Sequence, residues 1–149
     1  ANCELPAAPS PLREGTVKIL VVTDAVDSAV YSALTKQRFG DVSCVIGCGD
    51  LPPYYLEYLV TVLNVPVYYV RGNHDHELMT RADDGELQLP GGCISIDGRM
   101  VEHEGLIIAG LGGSPRYNRK QDQYTDAAQR LRGPVTLLID CARRIGAVR

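Results

Sequence analysis

An α/β fold is predicted by three observations on this 149-residue chain. Between residues 17 and 71, short β-branched runs alternate with stretches whose apolar residues recur three and four positions apart. Each run ends in a small or polar turn: Thr23-Asp24, Gly49-Asp50 and Gly72-Asn73-His74-Asp75. After Cys93 the rhythm changes to alternating runs on either side of Asp97-Gly98, a dipeptide that favours two-residue hairpins. The expectation is a parallel sheet with crossover helices over residues 17–71, followed by an antiparallel hairpin region.

Each element has its own grounds. Val17 to Thr23 is almost continuously apolar, as in an inner parallel strand covered on both faces. Val30, Tyr31, Leu34, Arg38 and Phe39 follow with helical spacing, Asp27 or Ser28 serving as cap and Gly40 as terminator. Ser43 to Gly47 is a second strand. Pro53 to Leu63 is a second helix with proline in its first turn. Val65 to Arg71 is the third strand. Residues 77–92 hold Asp83, Asp84, Gly85, Pro90, Gly91 and Gly92 and read as a connecting loop, and Asp126 to Arg132 reads as a short helix.

Composition narrows the function. A net charge of −3 and 22% charged residues leave no basic stripe for broad nucleic-acid binding. Arg143, Arg144 and Arg149 read as a solvated tail. No apolar run reaches the ~20 residues that span a bilayer. The Pro- and Ala-rich start, residues 1–16, lacks the pattern of a signal peptide and reads as a flexible arm before a domain at 17–149. Five cysteines, with Cys44 and Cys48 four apart on one face of a strand, suit reduced thiols and a cytoplasmic protein.

The polar turns carry the chemistry. Parallel strands present their carboxyl ends on one edge of the sheet, where open α/β folds keep their ligands. Asp24, Asp50 and Asn73 there offer oxygen donors to divalent cations. With added imidazole, such a set suits Mn, Fe or Zn. Two ions about 3.5–4 Å apart would clamp a phosphoryl oxygen and activate water.

In order, spacing and strand context, Cys48-Gly49-Asp50 and Gly72-Asn73-His74-Asp75 resemble the calcineurin-like metallophosphoesterase superfamily. Leu106 to Tyr117 is similar to its strand and Gly-rich turn. The resemblance covers roughly residues 17–130 and implies part of that family's four-layer sandwich. It also implies hydrolysis of phosphate mono- or diesters, from a small molecule or a nucleotide, with two divalent metal ions. Carried over, Asp24 binds the first ion, Asp50 bridges both and Asn73 binds the second. His74 faces the substrate, and Asp75 orients its ring.

Two departures qualify that expectation. Val26 stands where the family places a first-metal histidine, leaving Asp27 as either a substitute ligand or a helix cap. No histidine follows His103, and from about Gly133 the family pattern ends, so the domain reads as incomplete at its carboxyl end. An incomplete sheet would leave open edges that favour self-association. The alternative function is a catalytically inactive remnant serving as a binding or interaction module. His76 and His103 read as surface residues, and Tyr54, Tyr55 and Tyr58 as helix packing rather than a base-stacking surface. Gly110-Leu111-Gly112-Gly113 lacks the spacing of a phosphate loop.

Overall fold

The computed structural model describes residues 17–80, 85–117 and 122–134. The expected arm at 1–16, the late arginines and the rest of residues 135–149 lie outside them. The described residues form a mixed α/β fold, a four-stranded parallel sheet with a separate antiparallel hairpin. Strands β1 (Ile19–Val22), β2 (Cys44–Gly47), β3 (Val67–Tyr69) and β4 (Ile94–Ser95) lie side by side in that order. Register runs Ile19 to Cys44, Val45 to Val67 and Tyr68 to Ile94.

Helix α1 (Thr35–Phe39) links β1 to β2, and α2 (Pro53–Leu63) links β2 to β3. Proline opens α2, where a missing N–H costs nothing, and Asn64 closes it in the left-handed region with its N–H on the Val60 carbonyl. Tyr55, Leu56, Leu59 and Leu63 form its buried face, packed with Val45, Val67 and Tyr69 of the sheet. Each such side chain contributes about 1.5–3 kcal/mol on burial. A smaller cluster of Cys44, Tyr68 and Ile96 covers the other face, with Val101 and Ile108 against it.

Several expectations are corrected. The first strand is not internal: among the described residues β1 pairs with β2 alone, and Val21 is 57% exposed. The first helix begins only at Thr35. The Thr35 hydroxyl bonds the Val30 and Ser32 carbonyls, and Ser32 N–H donates back to it, so side chains compete with the helical ladder over residues 28–34. Gly40 keeps a right-handed φ; it is small because a β-carbon there would strike the Lys36 carbonyl.

The expected hairpin also shifts. Ile94 and Ser95 join the parallel sheet, and the hairpin pairs β5 (Arg99–His103) with β6 (Leu106–Gly110). Its turn is Glu104-Gly105, both at positive φ, the geometry of a two-residue hairpin loop. Asp97-Gly98 instead makes the turn from β4 into β5, with Arg99 N–H on the Ile96 carbonyl. The connecting loop opens with helix α3 (Asp75–Met79), unforeseen in the sequence. Strands β7 (Ser114–Pro115) and β8 (Gln123–Tyr124) pair beyond the hairpin, and residues 126–134 are helical, as expected of that segment.

His103 is not a free surface residue. Its Nδ1 lies 3.2 Å from the Tyr68 hydroxyl and its Nε2 3.1 Å from the Ser43 carbonyl, tying hairpin to sheet. Tyr55 and Tyr58 are packing residues as expected, Tyr58 donating to the Ser32 carbonyl at 2.6 Å, whereas Tyr54 is exposed. Cys44, Cys48 and Cys93 are free thiols. Cys44 is buried and Cys48, just past the end of β2, is exposed, so the two do not share a face. No helix among the described residues is long and apolar enough to cross a membrane.

Candidate metal and phosphate site

The carboxyl ends of β1, β2 and β3 come together through backbone contacts. Asp24 N–H donates to the Gly49 carbonyl at 3.1 Å, and Cys48 N–H to the Val22 carbonyl at 2.9 Å. Both acids take up left-handed backbone, Asp24 at φ 61° and Asp50 at φ 57°. Non-glycine residues seldom occupy that region, and such strain gathers at functional sites. One oxygen of each carboxylate is engaged locally: the Thr23 hydroxyl donates to Asp24 Oδ2 at 2.7 Å, and His74 N–H to Asp50 Oδ1 at 2.8 Å.

Glycines permit this closeness. Gly49 has φ 95°, and a β-carbon on it would lie 2.6 Å from the Gly72 nitrogen. Gly72 in turn faces the Asp50 side chain. The sequence Gly-Asp followed by Gly-Asn-His-Asp is therefore a packing requirement as well as a set of donors.

Asp75 is the anchor of the turn. It is almost wholly buried; its Oδ1 accepts from Leu51 N–H at 3.0 Å and its Oδ2 from Gly72 N–H at 2.7 Å. Burial pushes its carboxyl above the usual range, while the N–H donors pull it down. Both oxygens are thus spent on backbone, and the expected orientation of the His74 ring falls to other groups. His74 Nδ1 lies 3.9 Å from Glu77 Oε2, and Nε2 lies 3.4 Å from the hydroxyl of Tyr117. That hydroxyl also receives Asn73 Nδ2 at 2.8 Å.

Tyr117 was not singled out from the sequence. It sits 44 residues from Asn73, and the only signal was its place at the end of the Gly-rich turn. The turn is held against the sheet: Gly113 N–H donates to the Arg71 carbonyl at 2.7 Å, and Gly112 N–H to Asp97 Oδ1 at 2.8 Å. Arg132 then caps Gly112 through its carbonyl at 2.9 Å and stacks 3.7 Å over the Tyr124 ring. These glycines serve close packing, consistent with their failing the phosphate-loop pattern.

Asp27 and Val26 have local roles. Asp27 Oδ1 accepts from Ala29 N–H at 2.7 Å, and its carbonyl accepts from Val30 and Tyr31, so it caps a turn. Val26 packs against the main core. Both border an open cleft of ≈ 540 Å³ that also includes Val21, Thr23 and Tyr55. His76 is exposed on α3.

Among the described residues no group of three or more His, Cys, Asp or Glu gathers to hold a metal. The donors at the strand ends are two carboxylates and an amide, all oxygen. In kind they fit a hard divalent cation, and in number they fill about half of a six-ligand shell. Compared with known proteins, the chain matches no family model, no curated protein and no solved structure.

Proposed function

We propose that the chain carries the Asp24, Asp50 and Asn73 face of a metal-dependent phosphoesterase centre of the calcineurin-like type. The substrate class is a phosphate mono- or diester, from a small molecule or a nucleotide. The observation that supports this most is the meeting of three polar turns at adjacent parallel strand ends, two of them holding aspartates in left-handed backbone. Asp24 and Asp50 would hold the ion through oxygens not already bonded, and Asn73 through Oδ1. A bound divalent ion of the Mn, Fe or Zn class supplies Lewis acidity toward the phosphoryl oxygen and makes water a better nucleophile. His74, exposed beside them, would contact the phosphate or protonate the leaving oxygen. Asp75 keeps the turn in place.

A second reading, a non-catalytic binding or interaction module, draws on Val26, which packs into the core at the position of an expected ligand. One experiment separates the two. Titrate the full chain with Mn²⁺, assay a chromogenic phosphodiester and repeat both with Asp50→Asn. Mn²⁺ binding and hydrolysis that both fall in Asp50→Asn support the enzyme. Wild-type protein that hydrolyses nothing and binds Mn²⁺ no tighter than about millimolar, a free energy near 4 kcal/mol, rejects it.

A further inference from the structure

We propose that Tyr117 is a positioning residue that fixes which end of the Asn73 amide faces the carboxylates. The inference rests on the metal-site reading above and adds a residue to it. An asparagine amide can bind a cation only through Oδ1; turned over, it presents an NH₂ and repels the ion.

Two side chains of the turn meet at the Tyr117 hydroxyl. Asn73 Nδ2 donates to its oxygen at 2.8 Å. His74 Nε2 lies 3.4 Å from the same oxygen, so the hydroxyl stands between ring and amide. With the NH₂ committed to Tyr117, Oδ1 on the other side of the same carbon is the donor left for a metal.

The backbone at Tyr117 and at the residue before it is held in place. Tyr117 N–H donates to Gln123 Oε1 at 3.3 Å, and Arg116 N–H donates to the Tyr124 carbonyl at 2.9 Å, next to the β7–β8 pairing. Nothing about its ring requires the hydroxyl for packing, since Tyr117 is 64% exposed. Removing that one oxygen takes away the contacts to the Asn73 amide and the His74 ring while leaving the backbone contacts of the segment in place.

The test uses Tyr117→Phe, Asn73→Asp and the double variant of the full chain, with two readouts. In metal-free protein, NMR of the Asn73 side-chain amide follows the hydrogen bond directly. The expected result is two separated NH₂ resonances with slowed solvent exchange, which move toward free-amide values in Tyr117→Phe. In the second readout, Mn²⁺ affinity is expected to fall about fivefold in Tyr117→Phe, the scale of one lost neutral hydrogen bond. In the Asn73→Asp background, whose two oxygens are equivalent, the same change is expected to have a clearly smaller effect.

Unchanged Asn73 NH₂ signals in Tyr117→Phe overturn the proposal. So does an equal loss of Mn²⁺ affinity in both backgrounds, the mark of a merely structural role. Wild-type protein with the NMR signature but no Mn²⁺ binding overturns the role toward metal and with it the metal-site reading. Mn²⁺ binding with no NMR effect leaves the metal-site reading standing and removes Tyr117 from it.

Discussion

Gly72 lies directly against the carboxylate of Asp50: a β-carbon on Gly72 would overlap Asp50 Oδ1 and sit 2.6 Å from its Cγ. The third strand's turn is thus shaped around the second strand's acid. Gly72→Ala must push Asp50 away or deform the turn. The expected outcome is a loss of about 1–3 kcal/mol in urea unfolding, in line with overpacking a closely fitted site. Mn²⁺ binding should weaken more than in a distant Gly→Ala control such as Gly133→Ala, where a β-carbon meets nothing within 4 Å.

Asp75→Asn keeps the shape of the side chain but turns one acceptor into a donor facing a backbone N–H. Either Leu51 or Gly72 N–H then loses its partner in a buried place. Destabilisation of about 1–3 kcal/mol is expected by denaturant unfolding at neutral pH. If Asp75 served only to orient His74, stability would hold and only activity would fall.

Burial, helped by the Glu57 charge, pushes the Cys93 thiol up to about 11, against a reference of 9.0. The folded state therefore keeps a proton that the unfolded chain releases. The sign follows: this contribution to stability is whole below pH 9 and is lost as pH rises through about 11. Because the residue is only partly enclosed, about 1–2 kcal/mol is expected rather than the full value of a two-unit shift. Urea unfolding at pH 8 and pH 11 checks it, the loss at high pH being smaller in Cys93→Ala than in wild type.

Although Cys48 is exposed, partial shielding of its sulfur from water raises its thiol first, and the negative charge of Asp24 nearby raises it further. Asp24→Asn should speed its alkylation by iodoacetamide at pH 8 by about twofold to fivefold, since the thiolate is the nucleophile. Mass-mapped labelling of Cys48 reads this without any enzymatic assay. A divalent cation at Asp24 would act in the same direction, so labelling with and without Mn²⁺ reports occupancy as well.

The parts of the fold legible in sequence were those set by local chemistry. Pro53 at the start and the apolar face of Tyr55, Leu56, Leu59 and Leu63 gave the second helix its bounds, and β-branched runs gave the parallel strands. The hairpin was misplaced because Asp97-Gly98 has the favoured composition, while the actual turn puts Glu104 in the left-handed region, for which glutamate has no preference. The first helix failed at Ser32 and Thr35, whose hydroxyls bond the backbone more readily than periodicity can reveal.

The site shows the same division. Asp24, Asp50 and Asn73 were readable because each follows a strand, and parallel strands bring their ends together whatever the loops do. Asp75 was recognised as important, though its work is on Leu51 and Gly72, a tertiary fact. Tyr117 could not be found, because its neighbours are set by how the Gly112-Gly113 turn folds back on Arg71 and Asp97.

Asp24 and Asp50 hold a backbone shape that glycine adopts without steric strain. Left-handed backbone costs an L residue roughly 1–2 kcal/mol, of which glycine's greater loss of chain entropy offsets roughly 0.5–1. Selection of variants for folding alone would therefore drift toward glycine at position 24, where, among the described residues, the side chain is hydrogen-bonded to neighbouring Thr23. A library sorted for thermal resistance and a library sorted for Mn²⁺ binding should part company there, with carboxylates kept in one and discarded in the other.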